Sequence, residues 1–277
     1  MRRRLLILGS AMALLLGTVL YLQTTDSPTE QIGSPTPEAA ATQNPITDKA
    51  TPGGETESDS PAGIVEQTEP VRQDVYDMLD GDYNTRIRTG DHSIALTFDD
   101  GPHPEWTPQV LDELREHGIT ATFCVIGQYA EDYPHLIQQI HEDGHTLCNH
   151  SWLHEMDLGE QSKDEIHANM ERTNEAIRAA VPDADIPYFR HAGGNWTASA
   201  VSVSRAMDME PIHWEADPKD WDSEQEAADI SHDLRAQTRA GSIVLLHDGA
   251  SNQEEMFPAL REVLTDWVEE GYSFSHL

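Results

Sequence analysis

The stretch ALTFDDGPHP, Ala95 to Pro104, joins an apolar run to two adjacent carboxylates and a Gly-Pro turn. A short apolar run bounded by a turn is typical of a buried strand, and Asp99 and Asp100 stand where that strand ends. Neighbouring strand residues point to opposite faces, but at a strand end that breaks into a turn both carboxylates can face one cleft. The alternative is a simple acidic turn, because Asp, Gly and Pro are common turn residues.

From this stretch to the C-terminus, strand-like runs alternate with helical patterns. One helix is expected to begin at Thr107-Pro108, with Thr107 as its N-cap, and another at the capping box Ser162 to Glu165. Such alternation predicts a parallel sheet with right-handed crossovers, one strand short of an eight-stranded barrel, with functional groups at the carboxyl ends of the strands. The seven predicted strands are 93–98, 120–126, 145–149, 187–190, 209–214, 242–247 and 272–276.

The N-terminal part has a different composition. Arg2 to Arg4 precede the uncharged run Leu5 to Leu22, which is typical of a basic region ahead of a membrane-crossing segment. A cleaved signal peptide and a retained anchor both fit, and the lack of a cleavage motif after Leu22 favours the anchor. The protein is therefore expected to be exported, either anchored on the outer face of the membrane or secreted. The predicted organisation is a signal peptide or anchor over 1–22, a disordered acidic linker rich in Pro, Ser and Thr over 23–83, and a folded domain over 84–277.

Charge and cysteine content limit the partners and the compartment. The chain has 17 basic and 50 acidic residues, for a formal net charge of −33. Such an acidic surface repels phosphate backbones, so nucleic acid is excluded as a partner. Cys124 and Cys148 could form one disulfide in an exported protein or remain as buried free thiols, and the sequence leaves both possibilities open.

Two histidines four residues apart follow the third predicted strand. His150 and His154 begin at a strand end, where one helical turn would place both imidazoles on one side. His141 and His145 have the same spacing, but Gly144 separates a helix from a strand between them. Two histidines and one aspartate can hold Zn²⁺ or another divalent ion and leave open positions. One of the adjacent carboxylates would then bind the ion, and the other would take a proton from the attacking water.

Three further polar clusters stand at predicted strand ends. Taken one at a time, the clusters have simple structural explanations: an arginine in a salt bridge, an acidic turn and a histidine at a strand edge. Together with the aspartates and the histidine pair they make five clusters at five strand ends, which predicts one functional face. The three clusters are Tyr188-Phe189-Arg190, Asp217-Pro218-Lys219-Asp220-Trp221 and Leu245-Leu246-His247-Asp248.

These motifs resemble those of the polysaccharide deacetylase family, carbohydrate esterase family 4, which includes chitin and peptidoglycan deacetylases and some acetylxylan esterases. The resemblance implies a distorted, incomplete (β/α) barrel of about seven parallel strands. It also implies metal-dependent hydrolysis of N-acetyl groups from a cell-envelope polysaccharide that contains N-acetylglucosamine, peptidoglycan or chitin-like, with release of acetate. The matching segments are Thr97-Phe98-Asp99-Asp100-Gly101-Pro102, His150-Ser151-x-x-His154, Arg190 through Gly194, Asp217-x-x-Asp220-Trp221 and Leu245-x-His247.

The resemblance also implies an acid and a base. Asp99 would be the general base, held by Arg190, and His247 would be the general acid that protonates the departing amine. Asp217 or Asp220 would orient His247, and Asp217 is favoured.

Metal and substrate contacts are implied in the same way. The expected ion is zinc, with cobalt or another divalent ion as an alternative. The backbone N–H of Gly193 would help to hold the oxyanion, and two side chains would line the pocket for the acetyl methyl group. The expected metal ligands are Asp100, His150 and His154, and the pocket side chains are Trp221 and Leu245.

The third motif departs from the family pattern. The family usually has Arg-x-Pro-x-Gly, whereas this chain reads Arg190-His191-Ala192-Gly193-Gly194. Without the proline, the turn that aims the oxyanion donor is expected to be looser. This departure leaves an inactive carbohydrate-binding scaffold open as one alternative. An O-acetyl esterase acting on xylan is the other, because it would use the same site. The expected assembly is a monomer, with a polysaccharide as its partner and membrane contact through the N-terminal segment.

Overall fold

The computed structural model of the protein describes residues 79–250 and 252–277. The predicted signal peptide or anchor over 1–22 lies outside the described residues, as does the predicted linker up to residue 78. Among the residues that the structure describes, no helix combines the length and the apolar character needed to cross a membrane.

The core of the domain is one sheet of six parallel strands. Its order is β5-β4-β3-β2-β1-β6, and a single parallel bridge from Ala216, beyond β5, to Val244 in β6 brings the two ends of the sheet together. The predicted incomplete (β/α) barrel is thereby confirmed. The strands are β1 (Ala95–Asp99), β2 (Thr122–Val125), β3 (Thr146–Asn149), β4 (Tyr188–Phe189), β5 (Glu210–Pro211) and β6 (Ile243–His247).

The seventh predicted strand, 272–276, is only a single bridge. Phe274 pairs in parallel with Ile94, the residue that precedes β1. β1 lies between β6, which pairs with it from Ala95 to Asp99, and β2, which pairs with it from Thr97 to Asp99. The C-terminal segment pairs ahead of the strand, where Ile94 exchanges two hydrogen bonds with it.

Seven α-helices are present in the described part of the chain. The predicted capping box forms, because the Ser162 side chain accepts from the N–H of Glu165 and the Glu165 carboxylate accepts from the N–H of Ser162. The predicted cap at Thr107 is wrong: the helix begins at Trp106, two residues before the predicted start at Pro108, and Thr107 lies within its first turn. The helices are α1 (Trp106–His117), α2 (Gly127–Asp132), α3 (Pro134–Glu142), α4 (Lys163–Ala180), α5 (Ala198–Ala206), α6 (Ala227–Gln237) and α7 (Gln253–Glu269).

The central strands are buried on both faces, as expected for a parallel sheet covered by helices. Phe98 and Phe123 stack with ring centroids 5.1 Å apart between β1 and β2. Cys124 and Cys148 occupy paired positions on β2 and β3 and form a disulfide, which resolves the alternative that the sequence left open.

Candidate active site

A pocket of about 350 Å³ lies at the carboxyl ends of the strands. Nine of the ten predicted site residues line it, and the tenth, Arg190, is buried behind it. The structure therefore brings the predicted residues together, while their catalytic roles stay predictions. The nine are Asp99, Asp100, His150, His154, Gly193, Asp217, Trp221, Leu245 and His247.

The two adjacent aspartates face the same cleft because the chain turns between them. Asp99 is the last residue of β1 and is buried. Asp100 has a φ of 70°, in the left-handed region that favours glycine, asparagine and aspartate. This turn swings the second carboxylate back towards the first, so Asp99 Oδ2 and Asp100 Oδ1 lie 3.6 and 3.3 Å from the same atom, His150 Nε2.

Asp100, His150 and His154 form a three-ligand donor set. Both imidazole Nε2 atoms lie 3.3 Å from Asp100 Oδ1, and the three donor atoms lie within 4.8 Å of one another. The Arg190 carbonyl, 2.8 Å from His150 Nδ1, can only accept, so Nδ1 carries a proton and the Nε2 lone pair of the neutral ring faces Asp100. Asp100 Oδ1 is buried and has no hydrogen-bond partner. Converging lone pairs of this kind fit a divalent cation.

Burial and local charge act differently on these three groups. Burial lowers the pKa of His154, which keeps its imidazole neutral and able to donate a lone pair. Burial opposes a charge on His150 as well, but the carboxylates of Asp99 and Asp100 outweigh it and raise the pKa of His150. Burial would raise the pKa of Asp100, but contact with His150 outweighs it and lowers that pKa well below its usual range. A charged carboxylate between two imidazoles is a suitable metal ligand set.

Arg190 holds Asp99 from behind the pocket. Its side chain is fully buried, and Nη1 donates to Asp99 Oδ1 and to the hydroxyl of Thr97, both at 2.7 Å. Its Nη2 donates to the carbonyl of His213 at 3.0 Å. A guanidinium fixed at three points pins one carboxylate oxygen and leaves the other, Asp99 Oδ2, free to face the cleft.

His247 ends β6, and Asp220 orients it rather than Asp217. Asp220 Oδ1 lies 2.9 Å from His247 Nδ1, and Asp220 Oδ2 accepts from the backbone N–H of His247 at 2.8 Å. The preference for Asp217 is therefore wrong: its Oδ1 accepts from the N–H of Lys219 in its own turn. Burial would lower the pKa of His247, but the negative charge of Asp220 outweighs it and raises that pKa to about 9.

The pocket walls are mainly apolar. Trp221, nearly half exposed, and Leu245 line it as predicted. Met156 and Trp214 line it too, and the sequence analysis missed both. Trp214 closes a predicted strand and could have been found by its position. Met156 follows the histidine motif in an irregular segment, and no sequence signal marks it.

The third motif has Ala192 where the family has a proline, and hydrogen bonds of the neighbouring His191 hold the turn. His191 Nε2 accepts from the N–H of Gly159 at 3.0 Å, and its Nδ1 donates to the carbonyl of Ala192 at 2.9 Å. The expected loosening stays a prediction, and these contacts of a buried histidine work against it. Gly193 has a φ of 59°, and a Cβ there would collide with the methyl group of Met156. Glycine is therefore favoured at this position, because a side chain there needs a strained φ and a shift of Met156.

Together the fold and the site define a hydrolase built on an incomplete (β/α) barrel. A family model described as polysaccharide deacetylase matches residues 86–212. The chain belongs to the polysaccharide deacetylase family, and the resemblance found in the sequence is confirmed, as is the assignment to its class of polysaccharide N-deacetylases.

Individual relatives support the same conclusion. A chitooligosaccharide deacetylase of Sinorhizobium fredii is 41% identical over 169 residues, which cover 61% of this chain and 78% of that protein. A peptidoglycan-N-acetylglucosamine deacetylase of Bacillus cereus is 31% identical over 183 residues, covering 65% of this chain and 84% of that protein. The solved structure of the peptidoglycan deacetylase PdaC from Bacillus subtilis has 28% sequence identity to this chain and a TM-score of 0.61. The match covers 68% of this chain and 88% of the PdaC chain.

Proposed function

We propose that the protein hydrolyses N-acetyl groups of a polysaccharide containing N-acetylglucosamine, with a divalent ion held by Asp100, His150 and His154. The observation that carries the proposal is one pocket that joins this donor set to a carboxylate fixed by an arginine and a histidine fixed by an aspartate. Zinc is the ion proposed, because two imidazoles and one carboxylate are a common catalytic zinc ligand set.

The side chains divide the proton transfers of amide hydrolysis between them. Asp99, with Oδ2 facing the cleft, accepts a proton from the attacking water. A bound divalent ion would supply Lewis acidity, polarising the acetyl carbonyl. The N–H of Gly193 donates to the oxygen on which charge develops. His247, protonated at neutral pH because its pKa is about 9, gives its proton to the departing amine as the carbon–nitrogen bond breaks.

The relatives narrow the substrate class. Identity is higher to the chitooligosaccharide deacetylase than to the peptidoglycan-N-acetylglucosamine deacetylase. We therefore propose short N-acetylglucosamine oligomers as the better substrate and peptidoglycan as the second. Trp221 and Leu245 would contact the acetyl methyl group, since both line the pocket.

Export is part of the proposal. The basic and apolar N-terminal run supports it, and so does the disulfide between Cys124 and Cys148, because such bonds persist in oxidising compartments. The protein would then act outside the cytoplasm, on the membrane surface or as a secreted enzyme.

The test is acetate release by the full-length protein, stripped of metal and then reloaded with Zn²⁺ or Co²⁺. The substrates are N-acetylglucosamine oligomers, peptidoglycan and acetylated xylan. Metal-dependent release from the oligomers supports the proposal. Release from xylan alone would identify an O-acetyl esterase, and glycan binding without any release would identify an inactive scaffold.

A further inference from the structure

Thr107 has a position that helix capping does not explain. It lies in the first turn of α1, and its hydroxyl accepts from the backbone N–H of His103 at 2.7 Å. The same hydroxyl donates to Asp248 Oδ2. One hydroxyl therefore connects the turn that follows the two aspartates to the end of β6.

Asp248 is a fully buried carboxyl group for which the proposed reaction has no use. It follows His247 directly, and its backbone N–H donates to the carbonyl of Asp99 at 3.1 Å. Its carboxylate packs against Gly101, so closely that a Cβ there would collide with both of its oxygens. Burying a carboxyl group in this way is costly, so a role in holding the local structure is expected.

These contacts surround the turn that carries the proposed base and metal ligand. Asp99 and His247 are paired positions on β1 and β6, so the base and the acid stand on adjacent strand ends. Beyond those ends the regular strand pairing stops. Thr107 and the Asp248 carboxylate then hold the segment from Gly101 to His103 against the end of β6.

We propose that Asp248 and Thr107 are positioning residues that fix the turn carrying Asp99 and Asp100 relative to the general acid His247. The proposal rests on the proposed function. In amide hydrolysis the base acts on the water at the carbonyl carbon, and the acid must reach the nitrogen on the other side of the breaking bond. Displacement of one group relative to the other by about 1 Å is enough to slow such a step by about 100-fold.

The test compares an amide with an activated ester. A departing amine must be protonated, whereas the nitrophenolate of 4-nitrophenyl acetate leaves without a proton, so only the amide requires a correctly placed His247. In the zinc-loaded full-length protein, Thr107→Val and Asp248→Asn are expected to lower kcat on an N-acetylglucosamine oligomer about tenfold with KM unchanged. Ester turnover is expected to change less than about twofold.

Three controls frame the comparison. His247→Ala should also lower amide turnover more than ester turnover, and by a larger factor than Thr107→Val or Asp248→Asn. Thr107→Ser keeps the hydroxyl and should keep amide turnover. Thr265→Val removes a threonine hydroxyl that donates within α7, far along the chain from the site, and should behave as wild type.

The outcomes separate the hypotheses. Equal losses on both substrates, accompanied by weaker Zn²⁺ binding, would show that the two residues merely maintain the fold or the metal site, and would overturn the proposal. Unchanged amide turnover in both variants would overturn it too. A wild-type protein that hydrolyses the ester but none of the amides would refute the proposed function itself, because that failure appears before any substitution is made.

Discussion

At the scale of single residues, neighbours decide which group carries a proton. His247 has the same side chain as the histidines proposed to bind the metal, yet the buried carboxylate of Asp220 raises its pKa and favours the charged form that the proposed acid needs. Burial lowers the pKa of His154 and favours the neutral form that a proposed ligand needs. The sequence motif contained both Asp217 and Asp220, and their spacing alone could not tell which one turns towards β6.

The pH dependence of turnover should follow from this pair. The acid is active while His247 is protonated, so activity should fall as pH rises through its pKa of about 9. Asp220→Asn removes the charge that raises this pKa. The basic limb of kcat/KM should therefore move to lower pH, by about one to three units. Measurement of kcat/KM on an N-acetylglucosamine oligomer from pH 6 to 10 checks this.

Asp217→Asn is the matched control, because Asp217 lines the same pocket without hydrogen bonding to His247. Its basic limb should move less than that of Asp220→Asn, because Asp217 acts on His247 through its charge alone. If the limb moved equally in both variants, the assignment of Asp220 as the partner of His247 would be wrong.

Metal affinity should depend on His150. This residue offers Nε2 to the site while its Nδ1 is held by the Arg190 carbonyl, so its loss removes an oriented ligand. His150→Ala should weaken Zn²⁺ binding by at least about 100-fold in calorimetric titration of the metal-stripped protein. His141→Ala, on the exposed surface of α3, is the control and should bind as wild type. Undiminished affinity in His150→Ala would contradict the ligand assignment.

At the scale of elements, strand ends were predictable where side-chain patterns were strong, and turns were not. The ends of β1, β3 and β6 coincide with the predicted clusters, because the apolar run stops where the polar group begins. The short helix α2 was missed, since its six residues are too few to show a period. The contact that holds the third motif could not be predicted either, because it joins Gly159 to His191, which are distant in sequence.

The glycine at the centre of that motif gives a prediction about an element. Gly193→Ala must place a methyl group at a φ of 59° and against Met156, so both stability and oxyanion binding should suffer. We expect a decrease in the free energy of unfolding of about 2 to 4 kcal/mol and a loss of kcat of tenfold or more. Denaturant unfolding and acetate release measure the two.

Gly118→Ala is the control that separates the backbone cost of a positive φ from the collision with Met156. Gly118 ends α1 with a φ of 66°, and nothing lies within 4 Å of the position of its Cβ. It therefore carries the backbone cost without the collision, and its destabilisation should be only about 1 to 2 kcal/mol with full activity. Equal destabilisation by the two substitutions would mean that Met156 yields freely to the new methyl group.

At the scale of the whole molecule, the alternation of strands and helices was sufficient to predict the class of fold, because each crossover must cover a sheet that is apolar on both faces. The number of strands could not be predicted from this alternation, because it depends on which strand edges in the sheet are free. A final segment with the composition of a strand met a β1 that was already paired on both sides. Apolar walls supplied by irregular segments, such as Met156, likewise follow from the completed fold and not from local pattern.

The excess of negative charge acts on the molecule as a whole and gives the last prediction. Residues 79–277 hold 39 of the 50 acidic and 12 of the 17 basic residues, so the folded domain concentrates like charges that its unfolded chain spreads apart. Salt reduces the range of this repulsion, from about 10 Å at 0.1 M to about 3 Å at 1 M. The free energy of unfolding should therefore rise between 0.1 and 1 M NaCl, as measured by urea titration of the full-length protein.

Sucrose at matched osmolality is the control, because sucrose is excluded from the protein surface and stabilises the protein without screening charge. The dependence of the free energy of unfolding on NaCl should therefore remain when sucrose is present. A free energy of unfolding that stays constant or falls with NaCl would show that local ion pairs, such as Arg190 with Asp99, outweigh the general repulsion.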